Sequence, residues 1–120
     1  MKILVVDDSP AMRMMVVRTL RQAGFGGNDV DQAEDGAVAL ESIRKATPDL
    51  VLADWNMPNM TGIELLEALR AEDNDVDFGF ITTESTTAMR QKATDAGAKF
   101  LISKPFTVES FEKVLSTVLS

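Results

Sequence analysis

Short apolar runs alternate with amphipathic segments five times along the chain. Continuous apolar runs bounded by polar residues are typical of buried strands. The segments that follow them repeat apolar residues at every third or fourth position, which indicates helices with one face on a core. The predicted strands are residues 3–6, a weaker one at 28–33 around Val30, and residues 50–53, 78–81 and 100–102.

Five helices are predicted between and after these strands. The first, third and fifth have clear apolar faces, whereas the second (about 37–45) and the fourth (about 85–96) are weaker. Ser9-Pro10 is typical of a helix start, since serine caps free N–H groups and proline fits the first turn. The residues predicted to face the core are Met12, Val16, Leu20 and Ala23; Leu40 and Ile43; Ile63, Leu66 and Leu69; Met89 and Ala93; and Val108, Phe111, Leu115 and Val118.

This alternation predicts an α/β fold with a doubly wound parallel sheet and helices on both faces. The first and third strands are apolar throughout, as central parallel strands are. The second strand is polar at alternate positions, and the fifth lies between Lys99 and Lys104, so both suit the edges. We therefore expect five strands in the flavodoxin-like order 2-1-3-4-5, within one domain spanning residues 1–120.

The composition removes several classes of function. The 120 residues include no cysteine and no histidine, which excludes disulfides, thiolate metal sites and histidine-dependent catalysis. The net charge of -7 repels phosphate backbones, so we expect no direct binding to nucleic acid. No apolar run approaches the roughly 20 residues of a membrane span. We therefore expect a cytoplasmic protein that does not bind membranes. The seven methionines are interpreted as core filler.

Acidic residues follow the two central strands directly. Asp7 and Asp8 come after the first strand and Asp54 after the third, and these strands are predicted neighbours at roughly 4.8 Å. Two like charges about 4 Å apart repel by about 4 kcal/mol at an effective dielectric of 20, so the cluster needs a counter-charge. Lys104, after the fifth strand, is one candidate and a divalent cation is the other. An all-oxygen ligand set favours Mg²⁺ or Mn²⁺ over zinc.

Each of these residues also has an ordinary structural explanation when taken alone. Asp7-Asp8 suits a turn and helix cap, Thr82 suits a strand end, and Lys104 suits a solvated sheet edge. A functional interpretation is favoured because these residues come from separate strand ends. In parallel sheets of this type, ligands bind beside those ends.

Six short motifs stand at or near the predicted strand ends. They are residues 6–8 (Val-Asp-Asp), 34–36 (Glu-Asp-Gly), 54–62 (Asp-Trp-Asn-Met-Pro-Asn-Met-Thr-Gly), 81–82 (Ile-Thr), 96–98 (Ala-Gly-Ala) and 104–106 (Lys-Pro-Phe). Together they resemble receiver domains of bacterial two-component response regulators, in register over essentially the whole chain. Residues 34–36 and 54–62 are most similar to the chemotaxis members of that family. Each motif is weak alone, and the combination is specific.

The resemblance implies a phosphoryl-accepting site that depends on Mg²⁺. Asp54 matches the aspartate that accepts a phosphoryl group from a histidine kinase, the expected partner. Asp8, Asp54 and the backbone carbonyl of Asn56 match the Mg²⁺ ligands, with Asp7 orienting the ion through water. The resemblance thus implies a phospho-acceptor switch and no turnover enzyme, since such a domain catalyses only its own phosphorylation and dephosphorylation.

The remaining roles also follow from the resemblance. Lys104 matches the lysine that pairs with the phosphoryl group, and Thr82 matches the hydroxyl that moves to hydrogen-bond it. Asn56 and Glu84 occupy the two positions that modulate dephosphorylation, and a phosphatase is a further candidate partner. The peptide bond between Lys104 and Pro105 is commonly cis in the family.

Leu101 departs from the family pattern, because receivers usually carry an aromatic residue three positions before the lysine. We expect an output protein or domain to bind the face formed by helix 4, strand 5 and helix 5 in the phosphorylated state. Leucine cannot supply an aromatic side chain that turns inward, so the resemblance does not extend to the family's aromatic route to this face or to docking on a flagellar motor.

Three other interpretations are open. The chain stops after the fifth helix, so it is either a stand-alone receiver or a receiver excised from a longer regulator with a DNA-binding or enzymatic output domain. An aspartate-nucleophile phosphohydrolase would want a second carboxylate two residues after Asp54, where this chain has Asn56. An FMN-binding flavodoxin would want a phosphate loop after the first strand, and Asp7-Asp8 would repel a phosphate there.

Overall fold

Five parallel strands form one sheet in the order β2-β1-β3-β4-β5, which confirms the predicted fold class and strand order. The computed structural model describes residues 1–25, 29–83 and 86–119. Residues 28 and 85, where the second strand and the fourth helix were predicted to begin, lie outside these ranges. The elements are β1 (Lys2–Val6), α1 (Pro10–Leu20), β2 (Asp29–Ala33), α2 (Gly36–Lys45), β3 (Leu50–Ala53), α3 (Gly62–Ala71), β4 (Asp77–Thr82), α4 (Thr87–Asp95), β5 (Phe100–Ser103) and α5 (Val108–Leu119).

Helices cover both faces of the sheet, as the alternating pattern predicts. α2, α3 and α4 pack on one face, where the core includes Leu66, Phe78 and Phe80. α1 and α5 pack on the other face, around Leu20 and Phe111. The central strands are buried from both sides, so residues 3–6 of β1 and all of β3 are apolar.

Helices α1 to α4 each begin at a polar side chain that caps them, and the Ser110 N–H likewise donates to Thr107 Oγ1 at the start of α5. The oxygens of these side chains accept hydrogen bonds from backbone N–H groups in the first turn, which would otherwise lack partners. Each of these helices follows a strand, so the caps stand near the carboxyl ends of the strands. The capping residues are Ser9 for α1, Asp35 for α2, Thr61 for α3 and Thr86 for α4.

Two expectations about packing need correction. α1 ends at Leu20, so Ala23 lies beyond the helix, in a wide turn, Arg21–Phe25, in which Gly24 has a φ of 98°, and it packs against the core from there. The interpretation of the methionines as core filler holds for Met57, which is buried, and for Met60, which packs against the core, and it is wrong for the exposed Met1, Met14 and Met15. Met14 and Met15 are about half exposed, since Val16 and Leu20 already occupy the core side of α1.

Across the part of the chain that the structure describes, every helix is too short or too polar to cross a membrane.

Candidate functional site

Three residues of the predicted site are held by the sheet itself. The Asp7 N–H donates to the Ala33 carbonyl at 3.1 Å, and the Asp54 N–H donates to the Val6 carbonyl at 2.9 Å. The Lys104 N–H donates to the Thr82 carbonyl at 2.8 Å. Each bond extends the pairing of neighbouring strands by one step beyond a strand end, so the backbone of the site is as fixed as the sheet.

The three acids meet as the strand order predicts. One carboxylate oxygen from each of Asp7, Asp8 and Asp54 lies within 4.8 Å of the others. Asp7 is 4% exposed, Asp54 is half-buried and Asp8 is exposed. The cluster therefore opens to solvent on the side of Asp8, where a hydrated cation can enter.

Lys104 lies against two of the acids. Its Nζ is 3.3 Å from Asp7 Oδ2 and 3.4 Å from Asp54 Oδ2, and its side chain is 10% exposed. The other oxygens accept backbone hydrogen bonds, from the Ser9 N–H to Asp7 Oδ1 at 2.9 Å and from the Trp55 N–H to Asp54 Oδ1 at 2.8 Å. The ammonium thus contacts two of the three carboxylates, so the cluster keeps an excess of negative charge.

The surroundings of Asp54 disfavour its ionised form. Burial raises the pKa of the Asp54 carboxyl above its ordinary value, the charge of Lys104 acts in the opposite direction, and the charge of Asp7 adds to the rise. An additional cation would offset both the cost of burying the charged carboxylate and its repulsion by Asp7.

The donor set fits a hard divalent cation of the Mg²⁺ type. Asp7, Asp8 and Asp54 offer oxygen ligands only, and the chain contains no histidine or cysteine that would favour zinc. Mg²⁺ in proteins is usually held by one or two carboxylates and keeps several waters, for which the open side at Asp8 leaves room.

Thr82 and Leu101 lie on the side of the sheet that α4 covers. Thr82 is the last residue of β4 and is fully buried. Leu101 on β5 is half-buried and pairs in register with Phe80, two residues before Thr82. Residues two apart on a strand share a face, so both side chains lie beneath α4 at the site end of the sheet.

Two further expectations concern the edge of the site. Asn56 is exposed, two residues after Asp54, in the loop between β3 and α3. The peptide bond between Lys104 and Pro105 is cis, as expected. Glu84 lies outside the described residues.

Two polar side chains beside the cluster, Arg13 and Asn59, make contacts that were not predicted. Arg13 on α1 donates to the Asp7 carbonyl at 2.6 Å and to Gln32 Oε1 at 3.0 Å. Asn59 donates to Asp35 Oδ2 at 2.9 Å. The motif at residues 34–36 includes Asp35, but the sequence indicated no role for it. Arg13 gave no signal, because an arginine on an amphipathic helix is ordinarily expected to face solvent.

Comparison with known proteins gives concordant matches over nearly the whole chain. The family model of the response regulator receiver domain matches residues 3–116. The chain is 39% identical over 120 residues to the chemotaxis protein CheY-3 of Vibrio cholerae, covering 98% of this chain and 91% of that protein. It is 37% identical over 124 residues to the chemotaxis protein CheY of Pseudomonas aeruginosa, covering 98% of each. A solved structure of Vibrio cholerae CheY4, a chemotaxis response regulator, is similar with a TM-score of 0.85 and 38% identity, covering 98% of this chain and 97% of that one.

Proposed function

This chain belongs to the response regulator receiver domain family, and we propose that it is a switch in which Asp54 accepts a phosphoryl group from the phosphohistidine of a partner kinase. The observation that carries the proposal is the cluster of Asp7, Asp8 and Asp54 with Lys104 within 3.4 Å of Asp54. A carboxylate nucleophile, an acidic cation site and a cationic partner for the product are thus together. We treat residues 1–120 as one receiver domain.

The transfer proposed is a substitution at phosphorus. A carboxylate oxygen of Asp54 forms a bond to the phosphorus atom, the bond from phosphorus to the histidine nitrogen breaks, and the imidazole leaves. Asp7, Asp8, Asp54 and the backbone carbonyl of Asn56 would hold Mg²⁺. The bound ion supplies positive charge that offsets the charge on the phosphoryl oxygens.

Lys104 and Thr82 are proposed to respond to the product. An acyl phosphate on Asp54 adds close to two negative charges and three strong acceptors. Lys104, now shared between Asp7 and Asp54, would pair with the phosphoryl oxygens, and the Thr82 hydroxyl would move to donate to them.

We propose that this response shifts the population of the face formed by α4, β5 and α5, which would bind the output partner in the phosphorylated state. Ala93 is the buried residue of α4, so moving this helix would uncover little apolar surface.

The domain is proposed to act only on its own phosphoryl group. Turnover as a phosphohydrolase would need an acid or base two residues after Asp54, and the Asn56 amide cannot transfer a proton. Asn56 and Glu84 are instead proposed to set the rate of dephosphorylation, which a phosphatase could raise. A cytoplasmic location follows from the proposal, because a kinase draws its phosphoryl groups from the cell's ATP.

The output is proposed to be chemotaxis-like signalling, on the strength of the CheY relatives. Leu101 lacks the ring that an aromatic residue would place beneath α4. We therefore propose that the signal reaches the output face through Thr82 and Lys104 without an aromatic rotation.

Incubation with Mg²⁺ and a small phosphodonor tests the proposal. The intact mass should increase by one phosphoryl group, and Asp54→Asn should abolish the increase because an amide is not a nucleophile for this transfer. Asp31→Asn, a change at an exposed position on β2, is the matched control and should be modified like the wild type. Equal modification of wild type and Asp54→Asn would refute the assignment.

A further inference from the structure

The loop between Asp54 and α3 is closed at its base. The Gly62 N–H donates to the Trp55 carbonyl at 2.8 Å. A Cβ atom on Gly62 would collide with the carbonyl oxygen of Asp54, so only glycine permits this approach. The start of α3 therefore fixes both ends of the loop, and residues 56–61 form the part that the sheet does not hold.

One side-chain hydrogen bond ties the outer part of the loop to the start of α2, in addition to the packing of Met57 and Met60 on the core. Asn59 has a φ of 67°, in the left-handed region, and its Nδ2 donates to Asp35 Oδ2 at 2.9 Å. The Met60 N–H donates to the Pro58 carbonyl at 2.7 Å, which makes a tight turn around Asn59. Asparagine is among the few residues other than glycine that adopt this conformation readily.

The acceptor is well anchored. Asp35 is 6% exposed, and its Oδ1 accepts from the Val38 N–H at 2.8 Å as the cap of α2. The hydrogen bond from Val38 and then that from Asn59 lower the pKa of the Asp35 carboxyl, so it is ionised at neutral pH. A Cβ atom on Gly36 would lie 2.7 Å from the Met60 carbonyl oxygen, so the start of α2 also touches the loop.

We propose that Asn59 and Asp35 are a positioning pair, which holds the loop so that the Asn56 backbone carbonyl stays beside the acidic cluster and strengthens Mg²⁺ binding. The inference rests on the proposed function, because that proposal makes the Asn56 carbonyl a ligand. Capping α2 requires only Oδ1 of Asp35. The hydrogen bond that Oδ2 accepts from Asn59 therefore serves the loop, near the edge of the sheet opposite that of Lys104.

Two variants break the contact from either side. Asn59→Gly keeps the left-handed backbone and removes the amide. Asp35→Ser keeps a capping oxygen for α2 and removes the second acceptor. Asp73→Gly is the control, since Asp73 also has a positive φ, of 60°, and lies beyond the far end of α3. Asp73→Gly shows how far a glycine at a left-handed position changes Mg²⁺ binding when the loop is left intact.

The first readout is the dissociation constant for Mg²⁺, measured by the emission of Trp55. We expect it to rise about tenfold in Asn59→Gly and in Asp35→Ser, the lower end of the effect of losing a group that orients a metal ligand. The double variant should be no weaker than either single variant, because both remove one contact. Asp73→Gly should bind as the wild type does.

A conservative variant separates positioning from general stability. In Asp35→Asn, the Oδ1 atom can still cap α2, and the Nδ2 group can donate to a flipped Asn59 amide. Mg²⁺ affinity should therefore return to within about threefold of the wild type. An unrestored affinity, or variants that bind Mg²⁺ like the wild type, would overturn the inference.

The second readout needs no metal. Amide hydrogen exchange of residues 56–60 in metal-free protein should accelerate in Asn59→Gly and Asp35→Ser, while exchange in β1 and β3 stays unchanged. A wild type that neither responds to Mg²⁺ nor accepts a phosphoryl group would refute the proposed function, and unchanged exchange would refute the pair itself. If the wild type is phosphorylated normally and the variants match it in Mg²⁺ affinity and hydrogen exchange, the inference about Asn59 and Asp35 is refuted and the proposed function stands.

Discussion

Lys104 sets the charge balance of the site at the scale of single residues. Its ammonium is within 3.4 Å of Asp7 and Asp54 and is largely shielded from solvent. It partly neutralises the same carboxylates that a divalent cation would occupy. On the proposed function, Lys104 would compete with the cation before phosphorylation and pair with the phosphoryl group afterwards.

Lys104→Met should tighten Mg²⁺ binding. Removing one positive charge beside two carboxylates strengthens their attraction for another cation, and we expect about a tenfold lower dissociation constant after screening. Titration of Trp55 emission measures it. Lys99→Met is the control, because Lys99 is exposed and pairs with Asp77 at 4.0 Å. Weaker Mg²⁺ binding in Lys104→Met would show that Lys104 supports the metal site.

Asp54→Asn should stabilise the metal-free protein at neutral pH. Burial raises the folded-state pKa of Asp54 above 3.8, so the folded state binds more protons than the unfolded state between 3.8 and that higher pKa. The free energy of unfolding therefore falls as the pH rises through this window. Above the window, ionised Asp54 still lowers the free energy of unfolding. We expect a gain of about 1 kcal/mol at pH 7, given the partial compensation by Lys104.

Urea unfolding in metal-free buffer checks this sign. The difference in the free energy of unfolding between Asp54→Asn and the wild type should shrink as the pH is lowered towards 3.8, because Asp54 then becomes protonated. A loss of stability in Asp54→Asn at pH 7 would contradict the account. It would mean that the attraction of Lys104 outweighs burial and repulsion.

At the scale of elements, the junction between β3 and α3 is the tightest near the site. Gly62→Ala should lower the free energy of unfolding by about 3 kcal/mol, because its Cβ meets the Asp54 carbonyl, a backbone atom that cannot yield. It should also weaken Mg²⁺ binding, since Asp54 would be displaced. Thermal or urea unfolding and Trp55 titration measure the two effects.

Gly24→Ala is the matched comparison for Gly62→Ala. Gly24 has a φ of 98° but nothing within 4 Å of an added Cβ, so only backbone strain of about 1–2 kcal/mol is expected and Mg²⁺ binding should be unchanged. Equal losses in the two variants would show that the approach of Gly62 to Asp54 does not constrain the site.

The helices and strands were predictable because their signals are local. The apolar periodicity and the Ser9-Pro10 start act within a few residues, and they gave the right elements in order. The capping box of α3, formed by Thr61 and Glu64, is equally local and was overlooked. Contacts between elements that are distant in the chain leave no local pattern in the sequence. Asn59 and Asp35 are 24 residues apart, and nothing in their spacing indicates that they meet.

At the scale of the whole molecule, the meeting of the acids was predictable from topology alone. Once β1 and β3 are adjacent and parallel, Asp7, Asp8 and Asp54 must end at one edge of the sheet. Side-chain burial was not predictable in the same way. The exposure of Met14 and Met15 depends on which residues of α1 fill the space above the sheet, and that is a property of the packed molecule.

The most direct test of the account is to locate the phosphoryl group. The protein is incubated with a small phosphodonor, with Mg²⁺ or with a chelator, and borohydride then reduces any acyl phosphate before the peptides are analysed by mass spectrometry. If Asp54 is the phospho-acceptor, it alone is converted to homoserine, and only with Mg²⁺. Conversion at another acid, or equal conversion of Asp54 in the chelator, would contradict the account.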